Sequence, residues 1–97
     1  MTAHSISSAS IISRSQDVVS GNIDGEIVMM HIKAGMYYGL DDVASRIWEL
    51  TEEPLRVDTL IDRLLDEYNV DRTTCERDVL DFLEDLHQGN ILEIVLG

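Results

Sequence analysis

The sequence predicts an α+β fold, winged-helix-like, in which a three-stranded antiparallel meander is followed by three helices. Two turn signals separate short apolar runs between residues 18 and 40, which is typical of consecutive hairpins. From residue 42 to residue 88, apolar side chains recur every three or four positions, which is typical of helices. A length of 97 residues fits one small domain, so we expect the sheet and the helices to share a single core.

Two glycine turns divide the predicted meander. Asp24-Gly25 is a strong signal for a two-residue turn, because such turns need a positive φ that glycine adopts without steric cost. Lys33-Ala34-Gly35 supplies the second turn. The predicted strands are residues 18–23, 27–32 and 36–40. Apolar side chains point both ways along the second strand, which predicts a central strand covered on both faces and leaves the third strand as an edge.

Three helices are predicted, at about residues 41–51, 58–68 and 74–88. Asp41 or Asp42 is expected to cap the first helix, and Asp58 the second. The third is preceded by Thr73-x-x-Glu76, which has the form of a capping box. Each helix therefore has its own start signal.

The two ends of the chain differ in character. Residues 1–16 are rich in serine, and we expect a flexible N-terminal segment there, with the folded domain spanning residues 17–97. Residues 91–96 form a short apolar tail that is expected to pack as a last strand or an extended arm.

Charge and composition exclude several classes of function. The net charge is -12, and a field of that sign repels nucleic acid and anionic membranes while attracting basic peptides. A DNA-reading third helix should be basic, but this one carries Glu76, Asp78, Asp81, Glu84 and Asp85 against Arg77. No apolar run approaches the roughly 18 residues of a membrane helix, and no signal peptide is recognisable. The single cysteine fits a reducing compartment, so we expect a cytoplasmic protein.

The residue types that catalyse reactions form no recognisable catalytic or metal-binding motif in this sequence. His4, His31 and His87 are far apart and in no metal-ligand spacing. Cys75 falls on the apolar stripe of the third predicted helix, where it is expected to behave as a small hydrophobe. A glycine-rich phosphate loop is missing as well. We therefore expect a non-enzyme without metal or cofactor.

An interaction domain is the remaining interpretation. The third predicted strand, from Met36 to Leu40, offers unpaired N–H and C=O groups that another extended chain can complete. Its apolar side chains supply contact area, and the third predicted helix supplies carboxylates for Lys or Arg of the guest.

Four segments of the chain carry a resemblance to the PqqD-like family. They are Asp24-Gly25-Glu26-Ile27-Val28, Gly35-x-Tyr37-Tyr38-x-Leu40-Asp41, Ala44-x-x-Ile47-Trp48-Glu49-Leu50, and Val57 to Tyr68 followed by Cys75-Glu76-Arg77-Asp78-Val79-Leu80-x-Phe82-Leu83-x-x-Leu86. The resemblance covers about residues 17–92. Asp41 stands where the family usually has Asn, and both residues cap helices.

Members of this family are RiPP recognition elements, which bind the leader segment of a ribosomally made precursor peptide and present its core to modifying enzymes. The resemblance implies that the leader adds as a strand beside the third strand and lies against the third helix. The residues implied to line the site are Met36, Tyr37, Tyr38, Gly39, Leu40, Asp78, Val79, Asp81, Phe82, Asp85 and Leu86. The three acids among them are implied to meet basic leader residues, and the flank of the helix that faces the groove stays open.

The pathway also stays open, and we favour lasso-peptide maturation, in which a leader-binding protein works with a separate leader peptidase. One alternative is pyrroloquinoline quinone biosynthesis, where the partner of such a peptide chaperone is a radical-SAM enzyme. Another is an adaptor domain whose open edge pairs with its own copy. A small enzyme is the third alternative, and it would act alone on a precursor peptide.

Overall fold

The computed structural model describes residues 6–33 and 35–96, in which two three-stranded antiparallel sheets pack with three helices. The elements in chain order are β1 (Ile11–Arg14), β2 (Val18–Ile23), β3 (Glu26–His31), β4 (Met36–Gly39), α1 (Asp42–Leu50), β5 (Leu55–Arg56), α2 (Val57–Glu67), α3 (Arg72–Gln88) and β6 (Leu92–Leu96). One sheet is the meander β2-β3-β4, and the other has the order β5-β1-β6. The predicted α+β fold, with a meander followed by three helices, is confirmed. Ala34 of the predicted second turn lies outside the described residues.

The meander follows the predicted turn chemistry. Asp24 and Gly25 have φ angles of 53° and 84° between β2 and β3, as a tight hairpin requires. Along β3, Met29 is fully buried whereas Met30 is 45% exposed. The prediction that this strand is covered on both faces is therefore wrong. In the described part of the chain the core packs against one face only, as is common for antiparallel sheets.

The N-terminal segment belongs to the folded domain over its described part. We expected residues 1–16 to be flexible, yet β1 is the central strand of the second sheet and pairs with both β5 and β6. Ile6 and Ile12 are 1% and 0% exposed. The strands β5 and β6 each need a partner, and the two buried isoleucines anchor the segment that supplies it. Residues 1–5 lie outside the described residues.

The same segment determines where α2 begins. The N–H groups of Val57 and Asp58 donate to the carbonyls of Ser10 and Ser8, each at 2.9 Å. The first free donors of the helix are thus satisfied by backbone from the N-terminal segment. The prediction of Asp58 as the N-cap is wrong, because that residue lies inside the first turn.

The other two helices are capped by aspartates. Asp41 caps α1 as predicted, and its carboxylate accepts from the Ala44 N–H at 2.8 Å. At α3, Asp71 accepts from the Thr74 N–H at 3.0 Å, so the helix starts two residues earlier than predicted. The Asp71 cap replaces the predicted Thr73-x-x-Glu76 box.

Removing the Asp71 cap is expected to lower the melting temperature at neutral pH. The hydrogen bond from the Thr74 N–H holds the pKa of the Asp71 carboxyl below its ordinary value, which is about 3.9 in an unfolded chain. Its stabilisation is therefore complete above that pH and is lost as the pH falls through the lowered folded-state value. Calorimetric melting of Asp71→Ala against wild type should show a gap at pH 7 that closes in strong acid, and Asp71→Asn should keep most of the cap. A gap that is independent of pH would contradict this assignment.

The core lies between the inner face of the meander, the helices and the second sheet. Its apolar members are Ile6, Ile12, Met29, Leu40, Ile47, Trp48, Val57, Leu60, Ile61, Leu64, Cys75, Val79, Leu83, Leu86, Ile91 and Leu92. The Arg14 guanidinium of β1 lies 4.1 Å from the centre of the Trp48 ring and also donates to the Trp48 carbonyl, which ties the second sheet to α1. None of the helices in the described ranges is long and apolar enough to cross a membrane.

Candidate functional site

The outer edge of β4 has no strand beside it within residues 6–33 and 35–96. The meander has the order β2-β3-β4, so β4 is paired on one side only. The C-terminal strand β6, which might have covered this edge, instead pairs with β1 in the second sheet. The predicted edge is therefore open along the described chain.

The backbone register decides which groups point away from β3. The Leu40 N–H donates to the Ile27 carbonyl at 3.0 Å, so this pair exchanges hydrogen bonds. Hydrogen-bonded and non-hydrogen-bonded pairs alternate along an antiparallel ladder, and Tyr38 therefore points its N–H and C=O groups towards β3. The N–H and C=O groups of Tyr37 and Gly39 point outwards. The available edge consists of these two residues.

Side chains of β4 alternate between the two faces. Leu40, just after the strand, is buried in the core, and Tyr38 is half-buried against it. The Tyr38 hydroxyl lies so close to α3 that a Cβ added at Gly89 would be 3.0 Å from it. Tyr37 projects from the other face and is 75% exposed. The Met36 side chain lies outside the described part of the structure.

The C-terminal end of α3 meets β4, and one flank of the helix leads from there to the start of α1. Asp78, Val79 and Phe82 line a pocket of about 180 Å³ together with the first turns of α1. Asp85 follows Asp78 by almost two helical turns of about 3.6 residues, so it lies on the same stripe. Gly89, one turn further, meets Tyr38. The stripe Asp78-Phe82-Asp85 therefore lies on the flank of α3 whose C-terminal end meets Tyr38 of β4.

The remaining predicted residues of α3 lie elsewhere. Val79 and Leu86 are 3% and 5% exposed and belong to the core, although Val79 also forms the floor of the pocket. Asp81 is exposed and lies about 60° around the helix from Asp78, on the side away from Phe82. Of the three predicted acids on α3, Asp81 therefore lies furthest around the helix from the flank that meets β4.

Sequence reasoning missed the contribution of α1. Val43, Ala44 and Ile47 form the opposite wall of the 180 Å³ pocket. Val43 is 44% exposed and also lines a neighbouring apolar pocket of about 190 Å³ between α2 and α3. Val43 lies one helical turn before the buried Ile47, so an apolar stripe that begins directly after two acids was the available signal.

The site combines apolar walls with exposed carboxylates. Asp41 and Asp78 stand at the rim of the pocket and Asp85 continues the acidic stripe, so the surface suits a guest with both apolar and basic side chains. Burial raises the pKa of the nearby Cys75 thiol, which therefore stays protonated at neutral pH and is a poor nucleophile. Over the described residues, no three His, Cys, Asp or Glu side chains come together to hold a metal ion.

Comparisons with known proteins point to one family. A family model described as Coenzyme PQQ synthesis protein D (PqqD) matches residues 26–92. The chain is similar to the solved structure "TbiB1 in Complex with the TbiA(beta) Leader Peptide", with 48% identity, a TM-score of 0.78, and coverage of 84% of this chain and 94% of that chain. A second solved structure, "Lasso peptide synthetase B1 complexed with the leader peptide", has 22% identity, a TM-score of 0.71 and coverage of 84% and 96%, which shows the fold alone. No curated protein matches the chain.

Proposed function

We propose that this chain, which belongs to the PqqD family of RiPP recognition elements, binds the leader segment of a precursor peptide as a fourth strand of the meander. The observation that carries the proposal is the open edge of β4, where Tyr37 and Gly39 point outwards beside the acidic flank of α3. The similar TbiB1 structure, which is a complex with a leader peptide, supports the same ligand class. In this role the chain is a binding adaptor and not an enzyme.

The backbone edge alone gives too little affinity. Two outward residues offer two N–H and two C=O groups, and a hydrogen bond contributes about 0.5–1.5 kcal/mol net. Four such bonds give roughly 2–6 kcal/mol, whereas micromolar binding needs about 8 kcal/mol after the cost of association is met. Side-chain contacts must therefore supply the rest.

The pocket between α1 and α3 supplies these contacts. Successive side chains of an added strand point to opposite faces of the sheet, so every second guest residue faces the helices. An apolar guest side chain would occupy the pocket of about 180 Å³ and contact Val43 and Phe82. Basic guest side chains would meet Asp78 and Asp85 on the flank of α3. We therefore expect a leader in which both the apolar and the basic contact residues occupy every second position, on the face that meets the helices.

Lasso-peptide maturation is the pathway we favour, with delivery of the bound precursor to a separate leader peptidase. The solved structure "Lasso peptide synthetase B1 complexed with the leader peptide", which shares the fold of this chain, motivates this choice over a role beside a radical-SAM enzyme in pyrroloquinoline quinone biosynthesis. In a self-pairing adaptor, by contrast, the β4 edge would meet its own copy, and light scattering at increasing concentration would then report dimers.

Calorimetric titration with the synthetic leader of the precursor encoded beside the gene tests the proposal. Wild type should bind the leader and ignore a scrambled peptide of the same composition. Replacing both Asp78 and Asp85 with Lys should weaken a basic leader about tenfold at low salt and much less at 1 M salt, because added ions screen exposed charges.

The matched control for this charge reversal is Glu53→Lys with Asp66→Lys. It makes the same change in net charge at exposed positions that do not line the site. Equal losses in both double variants would mean that overall charge, and not the flank of α3, attracts the leader. No binding of the leader by wild type would refute leader binding itself.

A further inference from the structure

The C-terminal strand β6 has a second strand edge that is unpaired along the described chain. In the order β5-β1-β6, only β1 pairs with it. The Ser15 N–H donates to the Ile91 carbonyl at 2.9 Å, so by alternation Leu92 and Ile94 point their backbone groups away from β1. The Leu92 carbonyl lies 3.2 Å from Nδ1 of His87. Ile94 is therefore the residue of this edge whose N–H and C=O groups are both available.

A hollow of about 500 Å³ lies along this edge, and most of the residues that line it are polar or charged. Residues 92–94 of β6 form one wall. The end of the meander, with His31 and Lys33, forms the opposite wall, and His87 and Asn90 close the third side at the end of α3. We call this hollow the β6 pocket. Its chemistry differs from that of the pocket between α1 and α3, where apolar side chains form the walls.

The β6 pocket lies at the end of β4 where a paired leader leaves the sheet. Tyr38 meets α3 at its C-cap Gly89, and Asn90, the next residue, lines the β6 pocket. Met36, the first residue of β4, pairs with His31 of the pocket wall. Each strand of the meander runs antiparallel to its neighbour. A leader that continues this pattern passes Met36 last, and its following residues come to the β6 pocket.

The distance between the two pockets gives the length of leader that joins them. Phe82 and Asn90 are eight positions apart in the sequence, which corresponds to about 12 Å along a helix. A strand added at β4 would lie two strand spacings, about 10 Å, from β3, which carries His31. An extended chain spans the resulting distance of roughly 16 Å with about five residues.

The unpaired polar groups of the β6 pocket determine which side chain it accepts. Lys33 Nζ lies 3.5 Å from Asp17 Oδ2, so these two charges compensate each other. Over the described residues, no ion pair or hydrogen bond reaches the Glu93 carboxylate or the Asn90 amide. With the Ile94 carbonyl they present three acceptors, one of which is negatively charged. A long side chain with several N–H donors and a positive charge, as in Arg or Lys, complements this set.

From these observations we propose that the β6 pocket binds a basic residue of the leader, about five positions C-terminal to the apolar residue held between α1 and α3. The inference rests on the proposed function, because pairing with β4 brings that basic residue to the pocket. The leader is then held by two side chains, one apolar and one basic, at a fixed separation. Leaders with both residues at this separation would bind more tightly than leaders with only the apolar one.

Calorimetric titration of the full chain tests this with the synthetic leader and with amidated peptides shortened by two residues at a time from its C-terminal end. With wild type, one step of the series should remove a Lys or Arg and lower affinity about fivefold. Glu93→Lys should lower affinity for the complete leader about fivefold, yet bind the peptide shortened past that step within about twofold of wild type. Asn90→Gly should act in the same direction, and glycine readily adopts the φ of 61° at this position.

Asp66→Lys is the control for the change in charge, because Asp66 is exposed on α2 and lines neither pocket. It should bind both peptides within about twofold of wild type. If Glu93→Lys and Asn90→Gly bind the complete leader like wild type, or weaken both peptides equally, the β6 pocket is not used while leader binding stands. A series with no such step, or a step that removes no basic residue, also overturns the inference. A wild type that binds no leader defeats both proposals.

Discussion

Gly39→Pro is expected to weaken leader binding at least about tenfold, whereas Gly39→Ala should bind like wild type. Proline removes the outward N–H of Gly39 and places its ring where the guest strand approaches. Alanine keeps the N–H, and its Cβ would have no atom within 4 Å. Leader titration and thermal melting of both variants give the comparison. Equal affinities for the two variants would show that the leader does not pair with β4.

A second set of proline substitutions tests which edge of the meander pairs with the leader. Tyr37→Pro should weaken leader binding as Gly39→Pro does, and Ser20→Pro should not, because Ser20 points its N–H outwards from β2 at the opposite edge of the meander. Tyr38→Pro should instead reduce stability, since it breaks a bond to β3. Loss of leader binding in Ser20→Pro would indicate that the leader pairs with β2, which would contradict our proposal that it pairs with β4.

Ile12→Ala is expected to lower the free energy of unfolding by about 2–4 kcal/mol, since it truncates a fully buried side chain. Ile12 is 0% exposed in β1, at the centre of the second sheet. Urea denaturation should show this as a lower midpoint with an unchanged slope.

Val95→Ala in the exposed part of β6 is the control for this truncation, and we expect a change within about 0.5 kcal/mol. A flexible N-terminal segment, as the composition indicated, would make Ile12→Ala as mild as the control. The comparison therefore decides whether β1 belongs to the stable core.

The parts of the fold that are encoded locally were predicted well from sequence. Asp24-Gly25 forms the expected hairpin, and the helical periodicity gave α1, α2 and α3 to within two residues. The resemblance to the PqqD-like family is confirmed by the family match over residues 26–92. These features depend on turn chemistry and side-chain periodicity, which short stretches of sequence carry by themselves.

The parts that depend on distant contacts were not predicted. Ile12 pairs with Leu55 and Ile94, so nothing near β1 in sequence marks it as a strand. The cap of α2 comes from Ser8 and Ser10, far away along the chain. Both errors have the same cause, since serine-rich composition reports local flexibility and not long-range pairing.

The candidate site shows the same division. The edge strand from Met36 to Gly39 could be found from its flanking turns. Its outward residues could not, because they follow from the register between β3 and β4. The flank of α3 with Asp78 and Asp85 likewise follows from how the helix packs against its neighbours in the fold. The sequence therefore locates the elements of the site, and tertiary contacts determine which sides of them are used.

The free N–H and C=O groups of Tyr37 and Gly39 at the edge of β4 restrict the register of any strand that pairs with them. Tyr37 and Gly39 are separated by one residue whose hydrogen bonds are already used by β3. A guest can therefore slide along the edge only in steps of two residues. Inserting one residue into the paired part of a leader would exchange its helix-facing and outward-facing side chains, whereas inserting two would restore the phase.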